Sequence, residues 1–314
     1  MEIITTPFSY DDALKLIKNN VDIILLTNSD FGVRNSYNCN NDELIKIINF
    51  LKQNNYNTKI WININAFFFE DNINSLEKYL FFLNEYKNEI EKIVFNDFAV
   101  PQICFENNID INLHYDPNTL VTSYGQFELY QDNNINSVSL SNELFLPEVI
   151  AILENKPKNF KISMQVHGHV FIMHSRWNLI TNFKNYVDDV NDEYIKNKVY
   201  YIKELNRQYP NIIMEDKHGS HMLTGYELCC FRQLKELWNH GLDYIKIDNI
   251  FQDENYSLEI YNLYKSLILN LEKNIYDDDL IDLYWKNAHK ISSSKKLASG
   301  FIGGIEGILN YEKK

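Results

Sequence analysis

Short, nearly unbroken apolar runs alternate along this chain with longer segments of helical spacing, and that alternation sets the expected architecture. Glu2 to Thr6 reads as a first strand halted by Pro7, and Asp11 to Asn20 then places Ala13, Leu14 and Ile17 on one helical face. Asp22 to Leu26 is apolar at almost every position, as a strand buried on both faces must be. Further strands are predicted at Lys59–Asn63, Lys92–Phe95, Ile109–Leu113, Ser137–Leu140, Phe160–Val166 and Tyr244–Ile247. Helices are predicted at Asp42–Gln53, Ile73–Asn88 and Glu143–Asn155 between several of them, and Ser257–Asn274 is a strongly periodic closing helix. Eight strands with intervening helices predict an α/β fold, a (β/α)8 TIM-like barrel, as a single domain over residues 1–314.

Two stretches break the alternation. The connection from 167 to 227, after the seventh strand, is too long for a simple loop; it is expected to carry a helix at Asp192–Gln208 and to act as a lid or subdomain. The tail, residues 290–314, holds Gly300, Gly303, Gly304 and Gly307, and reads either as a flexible end or as a segment folded back over the barrel.

In such a barrel the chemistry gathers where the βα loops converge, at the C-terminal ends of the strands. That rule selects Asn28, Asp30 and Arg34 after the second strand, Asn63 and Asn65 after the third, Asn96 and Asp97 after the fourth, His114, Tyr115 and Asp116 after the fifth, and Lys246 and Asp248 after the eighth. The densest polar cluster follows the seventh strand, where Ser163, Gln165 and His167 share a face and His169, His174, Ser175 and Arg176 come next. A second segment, Glu215-Asp216-Lys217-His218-Gly219-Ser220-His221, is expected to line the same cavity. His167, His174, His218 and Asp248 are the candidate catalytic groups; Arg34, Arg176, Lys246, His169 and Asp216 are the candidate substrate-binding groups. Arg34, Arg176 and Lys246 are expected to converge on a small dicarboxylate or phosphate, Arg34 and Arg176 offering the bidentate grip.

Two other chemistries are weighed against this. His167 and His169, two apart on a strand, would face one metal ion, with His174, His218 or Glu215 completing the set, but no H-E-x-x-H spacing supports it and no metal site is assigned. Ser175 beside His174 suggests a hydrolytic pair; sequence neighbours on a strand point to opposite faces, so adjacency is no evidence for one.

A net charge of -13 argues against a freestanding nucleic-acid binder, while leaving room for a local basic patch or a basic partner. No apolar run approaches the roughly 20 residues of a membrane span and no leader precedes the first strand, so the chain is expected in the cytoplasm with no membrane contact. Cys39, Cys104, Cys229 and Cys230 form no C-x-x-C pair and read as buried, reduced thiols.

The order of the polar segments resembles peptidase family U32, the collagenase-like peptidases: Gln165-Val166-His167-Gly168, then His174-Ser175-Arg176, Asp216-Lys217-His218-Gly219-Ser220-His221, Leu228-Cys229 and Lys246-Ile247-Asp248. The resemblance implies one of two activities, proteolysis or the oxygen-independent hydroxylation of tRNA wobble uridine with prephenate as co-substrate. A barrel that has lost catalysis and serves as a binding partner is the third reading. Many relatives carry a four-iron cluster on cysteines, but Trp177 stands where the family has one of them and only Cys229 falls at a cysteine position, so no iron–sulfur cluster is expected. Asn249 and Ile250 likewise replace the end of the family's K-I-E-G-R strand. The chain is thus similar to short, cluster-free members, and the resemblance implies a longer paralogue as partner, with tRNA engaged through the complex.

Overall fold

The computed structural model describes residues 1–187, 199–203, 205, 209–294 and 296–304. Its centre is a ring of eight parallel strands: β1 (Glu2–Thr5), β2 (Ile23–Thr27), β3 (Lys59–Ile64), β4 (Ile90–Phe95), β5 (Asn112–Tyr115), β6 (Ser137–Ser139), β7 (Lys161–Ser175) and the strand Tyr244–Ile247. The last pairs with both β7 and β1, which closes the ring as a (β/α)8 barrel. Helices α1 (Tyr10–Lys18), α2 (Asn41–Asn54), α3 (Ile73–Asn84), α4 (Ala99–Glu106), α5 (Phe127–Asp132) and α6 (Leu146–Glu154) lie between successive strands. The continuous apolar runs are explained by two cores: Ile24, Ile62, Ile93 and Ile162 face the helical layer, whereas Ile23, Leu25, Trp61, Val94 and Tyr244 pack inside the barrel.

The fifth strand lies three residues later than its apolar run suggests. Ile109 and Ile111 are buried because they follow the stop of α4: Asn108 takes a left-handed φ of 53° and Ile109 N–H bonds Cys104 O at 2.9 Å. His114 therefore sits within β5 and points into the barrel, not over its mouth. Its ring nitrogens meet Ser137 Oγ at 2.6 Å, Ser139 Oγ at 2.9 Å and Ser163 Oγ at 3.0 Å, and burial drives its pKa well below the usual value.

The segment after the seventh strand is an antiparallel sheet. β7 runs on past the barrel rim for a total of 15 residues. Helix α7 (Leu179–Tyr186) follows, and the chain then adds β8 (Val199–Ile202), β9 (Asn211–Asp216) and β10 (Gly219–Cys229), paired in the order β7-β10-β9-β8. The helix expected at Asp192–Gln208 is corrected at its described core, where Val199–Ile202 is a strand paired with β9; the rest of that range, Arg207 included, falls largely outside the described residues. The pairing with β9 gives Val199, Tyr200 and Tyr201 backbone partners that periodicity alone does not reveal.

Downstream come α8 (Leu234–Asn239), the closing barrel strand β11 (Tyr244–Ile247), α9 (Tyr256–Glu272) and α10 (Asp278–Ile291). The tail folds back: β12 (Leu297–Ala298) pairs in parallel with Glu227 and Leu228 of β10, and a 3-10 turn follows at Gly300–Gly303. Gly307 lies outside the described residues.

Candidate functional site

The barrel mouth holds a narrow cavity lined by residues from the ends of β2, β3, β7 and β11 and the loops after them, among them Arg34, Asn63, Asn65, Gln165, His169, Lys246, Asp248 and Asn249. Arg34 enters from the loop after β2 with a left-handed φ of 57°, and its guanidinium lies over the Phe171 ring at 4.2 Å. Its Nη1 is shielded from solvent and has no hydrogen-bond acceptor, and neither has Nδ2 of the buried Asn249, which lines the same cavity. Burial lowers the Arg34 pKa to about 10, against the opposing pull of Asp116, Asp248 and Asp216. Two of those acids sit instead on Lys246, Asp248 at 3.4 Å and Asp116 at 3.9 Å. The mouth therefore contains one guanidinium nitrogen and one amide nitrogen that lack acceptors, donors suited to an anion's oxygens, together with the two carboxylates that face Lys246.

His167 and His169 do not share a face. Lys246 pairs with Gln165 but Ile247 with His167, a bulge that turns His167 out of the barrel. There it is fully buried against Phe231, Tyr256 and Tyr264, with Nδ1 3.2 Å from Tyr264 Oη. Tyr264 Oη donates to Val166 O, so it accepts from His167, and burial lowers the His167 pKa to about 4. His167 is thus behind the wall of the mouth cavity, while His169 lines it with Nδ1 donating to Thr224 O at 2.8 Å. Gly168 makes this crossing possible: its φ is +98°, and a Cβ there would lie 2.1 Å from Asp248 O.

The second polar segment forms a different constellation, above the rim. His221, fully buried, donates from Nε2 to Asp216 Oδ1 at 3.1 Å, and its Nδ1 lies 3.2 Å from His174 Nδ1. That order fixes His174 as the Nδ1–H tautomer and leaves its Nε2 as an acceptor. Burial, His221 and Arg34 together lower the His174 pKa to about 4, so the ring is neutral at pH 7. Asp216 also accepts from His218 N–H at 2.8 Å, and His218 Nε2 lies 3.0 Å from Ser29 O. Sequence reading placed His221 in the cluster without a role; its spacing of five from Asp216 across the tight β9–β10 turn is the signal.

Arg176 does not join Arg34 and Lys246, which corrects the expected convergence. It is carried by the far end of β7 to a separate outer cleft with His174, Lys217, His218, Phe67 and Phe69. Glu215, considered above as a metal ligand, instead accepts from Ile180 N–H and Thr181 N–H at the start of α7. Among the described residues no group of three or more His, Cys, Asp or Glu is placed to hold a metal ion. The four thiols are no better suited to an iron–sulfur cluster. Cys39 follows β2, Cys104 lies in α4 and only Cys229 and Cys230 are adjacent, all are buried, and burial raises every thiol pKa. Ser175 Oγ accepts from Trp177 N–H at 3.2 Å.

A residue that sequence reading passed over holds the extension to the barrel. Glu227 is fully buried, accepts from Tyr256 Oη at 2.9 Å, Ser294 Oγ at 2.5 Å and Ser292 Oγ, and has a lowered pKa because, against the upward push of burial, the two serine hydroxyls and the nearby His169 and His167 prevail.

The profile of peptidase family U32 matches residues 9–310. The chain is 28% identical over 271 residues to tRNA hydroxylation protein P2 of Bacillus subtilis (strain 168), covering 85% of each. It is 19% identical over 301 residues to tRNA hydroxylation protein P1 of the same organism, covering 93% of this chain and 68% of P1. The structure of the U32 peptidase Mk0906 superposes with a TM-score of 0.50 at 14% identity, over 79% of this chain and 92% of that one, a likeness of fold.

Proposed function

Because the chain belongs to peptidase family U32, we propose that it is one component of a tRNA wobble-uridine 5-hydroxylation system in the cytoplasm, acting with a longer family member and using prephenate as co-substrate. The support for RNA chemistry is its kinship with P2 and P1 of B. subtilis. P1 is the longer of the two, since 93% of this chain spans 68% of it, and the coexistence of the two in one organism supports a hetero-oligomer that engages tRNA jointly. The observation that carries the reading at the site is Arg34, whose Nη1 is buried without an acceptor in the cavity that Asn249, with its Nδ2 also unpartnered, helps to line. A carboxylate of a small diacid supplies the missing acceptor. The peptidase reading gains nothing from the cysteines, which are buried thiols whose pKa values burial raises.

The test is mass spectrometry of tRNA nucleosides from a strain lacking this chain. Nucleosides derived from 5-hydroxyuridine should vanish and return with the wild-type gene but not with Arg34→Ala. Their persistence in the deletion strain would overturn the reading and leave proteolysis or a non-catalytic barrel.

A further inference from the structure

The outer cleft lies beyond the barrel rim, between the β3–α3 loop and the extension of β7 and β10. It is lined by Phe67 and Phe69 on one side and His174, Arg176, Lys217 and His218 on the other. We propose that this cleft docks an unpaired stretch of RNA, with Phe69 and Phe67 as stacking platforms and Arg176 and Lys217 as phosphate contacts. The inference rests on the tRNA reading above and assigns the RNA to a surface distinct from the anion cavity.

Three features favour this occupant. Phe67 and Phe69 are 41% and 40% exposed although a globular surface gains nothing by presenting two neighbouring phenyl rings to water. Both rings already carry a flat partner: the Arg176 guanidinium stands 3.8 Å from the Phe69 centroid, and the His174 ring lies 4.9 Å from Phe67, tilted by 31°. Alternating aromatic faces and guanidinium planes are what unpaired bases stack upon.

The charges point the same way. Arg176 makes no ion pair among the described residues, in a chain whose net charge is -13. Lys217 is paired with Asp30 at the rim, and the exposed Asp71 is the carboxylate that also lines the cleft. His174 is neutral at pH 7, so Arg176 and Lys217 are balanced in number by Asp71 and Asp30, and what the cleft offers a phosphate is the Arg176 guanidinium, which no carboxylate among the described residues pairs. An acidic peptide would satisfy the cations but has no use for two flat platforms.

The experiment is fluorescence anisotropy with a labelled RNA hairpin carrying a seven-nucleotide uridine-containing loop, against a fully paired duplex, using the full chain alone and with the longer family member added. Arg176→Ala and Phe69→Leu should each weaken hairpin binding by about tenfold while leaving small-anion binding at the mouth unchanged, and Arg176→Ala should reduce the salt dependence by about 0.7 in log–log slope. Hairpin binding by wild type that neither variant weakens would overturn the cleft assignment and leave the tRNA reading intact. No binding of either RNA in any combination would overturn both. Equal weakening of the hairpin and the duplex would also count against the proposal, since a paired strand cannot offer its bases to Phe69.

Discussion

Replacing Arg34 by methionine should separate binding from stability, with opposite expectations for the two. The side chain keeps its packing on Phe171, 4.2 Å from the guanidinium in the wild type, but loses the buried Nη1 that has no acceptor. A charged hydrogen bond contributes about 1.5–3 kcal/mol, so loss of the contact to a carboxylate should weaken prephenate or another small diacid by roughly 10- to 150-fold. Without ligand the same nitrogen is a desolvated donor with nothing to bond, and removing it should not lower the unfolding free energy by more than about 1 kcal/mol. Calorimetric titration measures the first effect and urea denaturation the second. At ligand near 100 times its dissociation constant the wild type should gain about 2.7 kcal/mol of stability, and Arg34→Met should lose about 1.3–2.4 kcal/mol of that gain. Equal binding by the two proteins, or a variant destabilised by more than about 3 kcal/mol in the absence of ligand, would show that Arg34 is a structural cation.

Three further outcomes are expected. Glu227→Gln should cost about 1.5–3 kcal/mol at pH 7, because a charged acceptor of Tyr256 and two serines becomes neutral; since the folded pKa is lowered, the wild-type advantage is complete above the ordinary glutamate value and fades as pH falls through the folded one, so a difference undiminished at pH 3 in urea melts would contradict this account. The His174 ring, with its pKa lowered to about 4, should remain neutral by NMR at pH 5.5, and its contribution to stability should be full above about pH 6.5 and decline toward pH 4; a midpoint near 6.5 would mean that the chain to His221 and Asp216 is not formed. Gly168→Ala should destabilise by about 2 kcal/mol or more and weaken anion binding as well, because its Cβ would press on the carbonyl of Asp248; a variant with wild-type melting and titration would exclude that close approach.

The barrel was legible because seven of its eight strands carry their burial in their own residues, as the fully buried Ile23–Thr27 illustrates. The fifth was displaced because Ile109 and Ile111 are equally apolar and serve a helix stop. Arg34, Lys246 and Asp248 could be placed at one mouth by the rule for strand ends, and they meet there. What could not be read was the side to which the residues after Val166 turn. Alternation puts His167 with Gln165; the bulge and the positive φ of Gly168 reverse that, and such a break depends on pairing with β11, which is 80 residues away in sequence. The same limit hid the antiparallel extension, in which β8 depends on β9 and β9 on β10 for partners, and the separation of Arg176 from Arg34.

The 15 residues of β7 supply groups to both cavities: Gln165 and His169 to the mouth, His174 to the outer cleft, with Arg176 just beyond its end. A strand is a ruler, advancing about 3.3 Å per residue, so the nine steps from Gln165 to His174 set a separation of roughly 30 Å along the chain before bulges shorten it. Loss of one residue between them would shorten the ruler and also invert every side chain beyond the gap, whereas loss of two would preserve the faces and bring the cavities about 6.6 Å closer. Length variation in this strand should therefore come in pairs, and a related chain differing there by two residues would be gauged for a ligand of different reach.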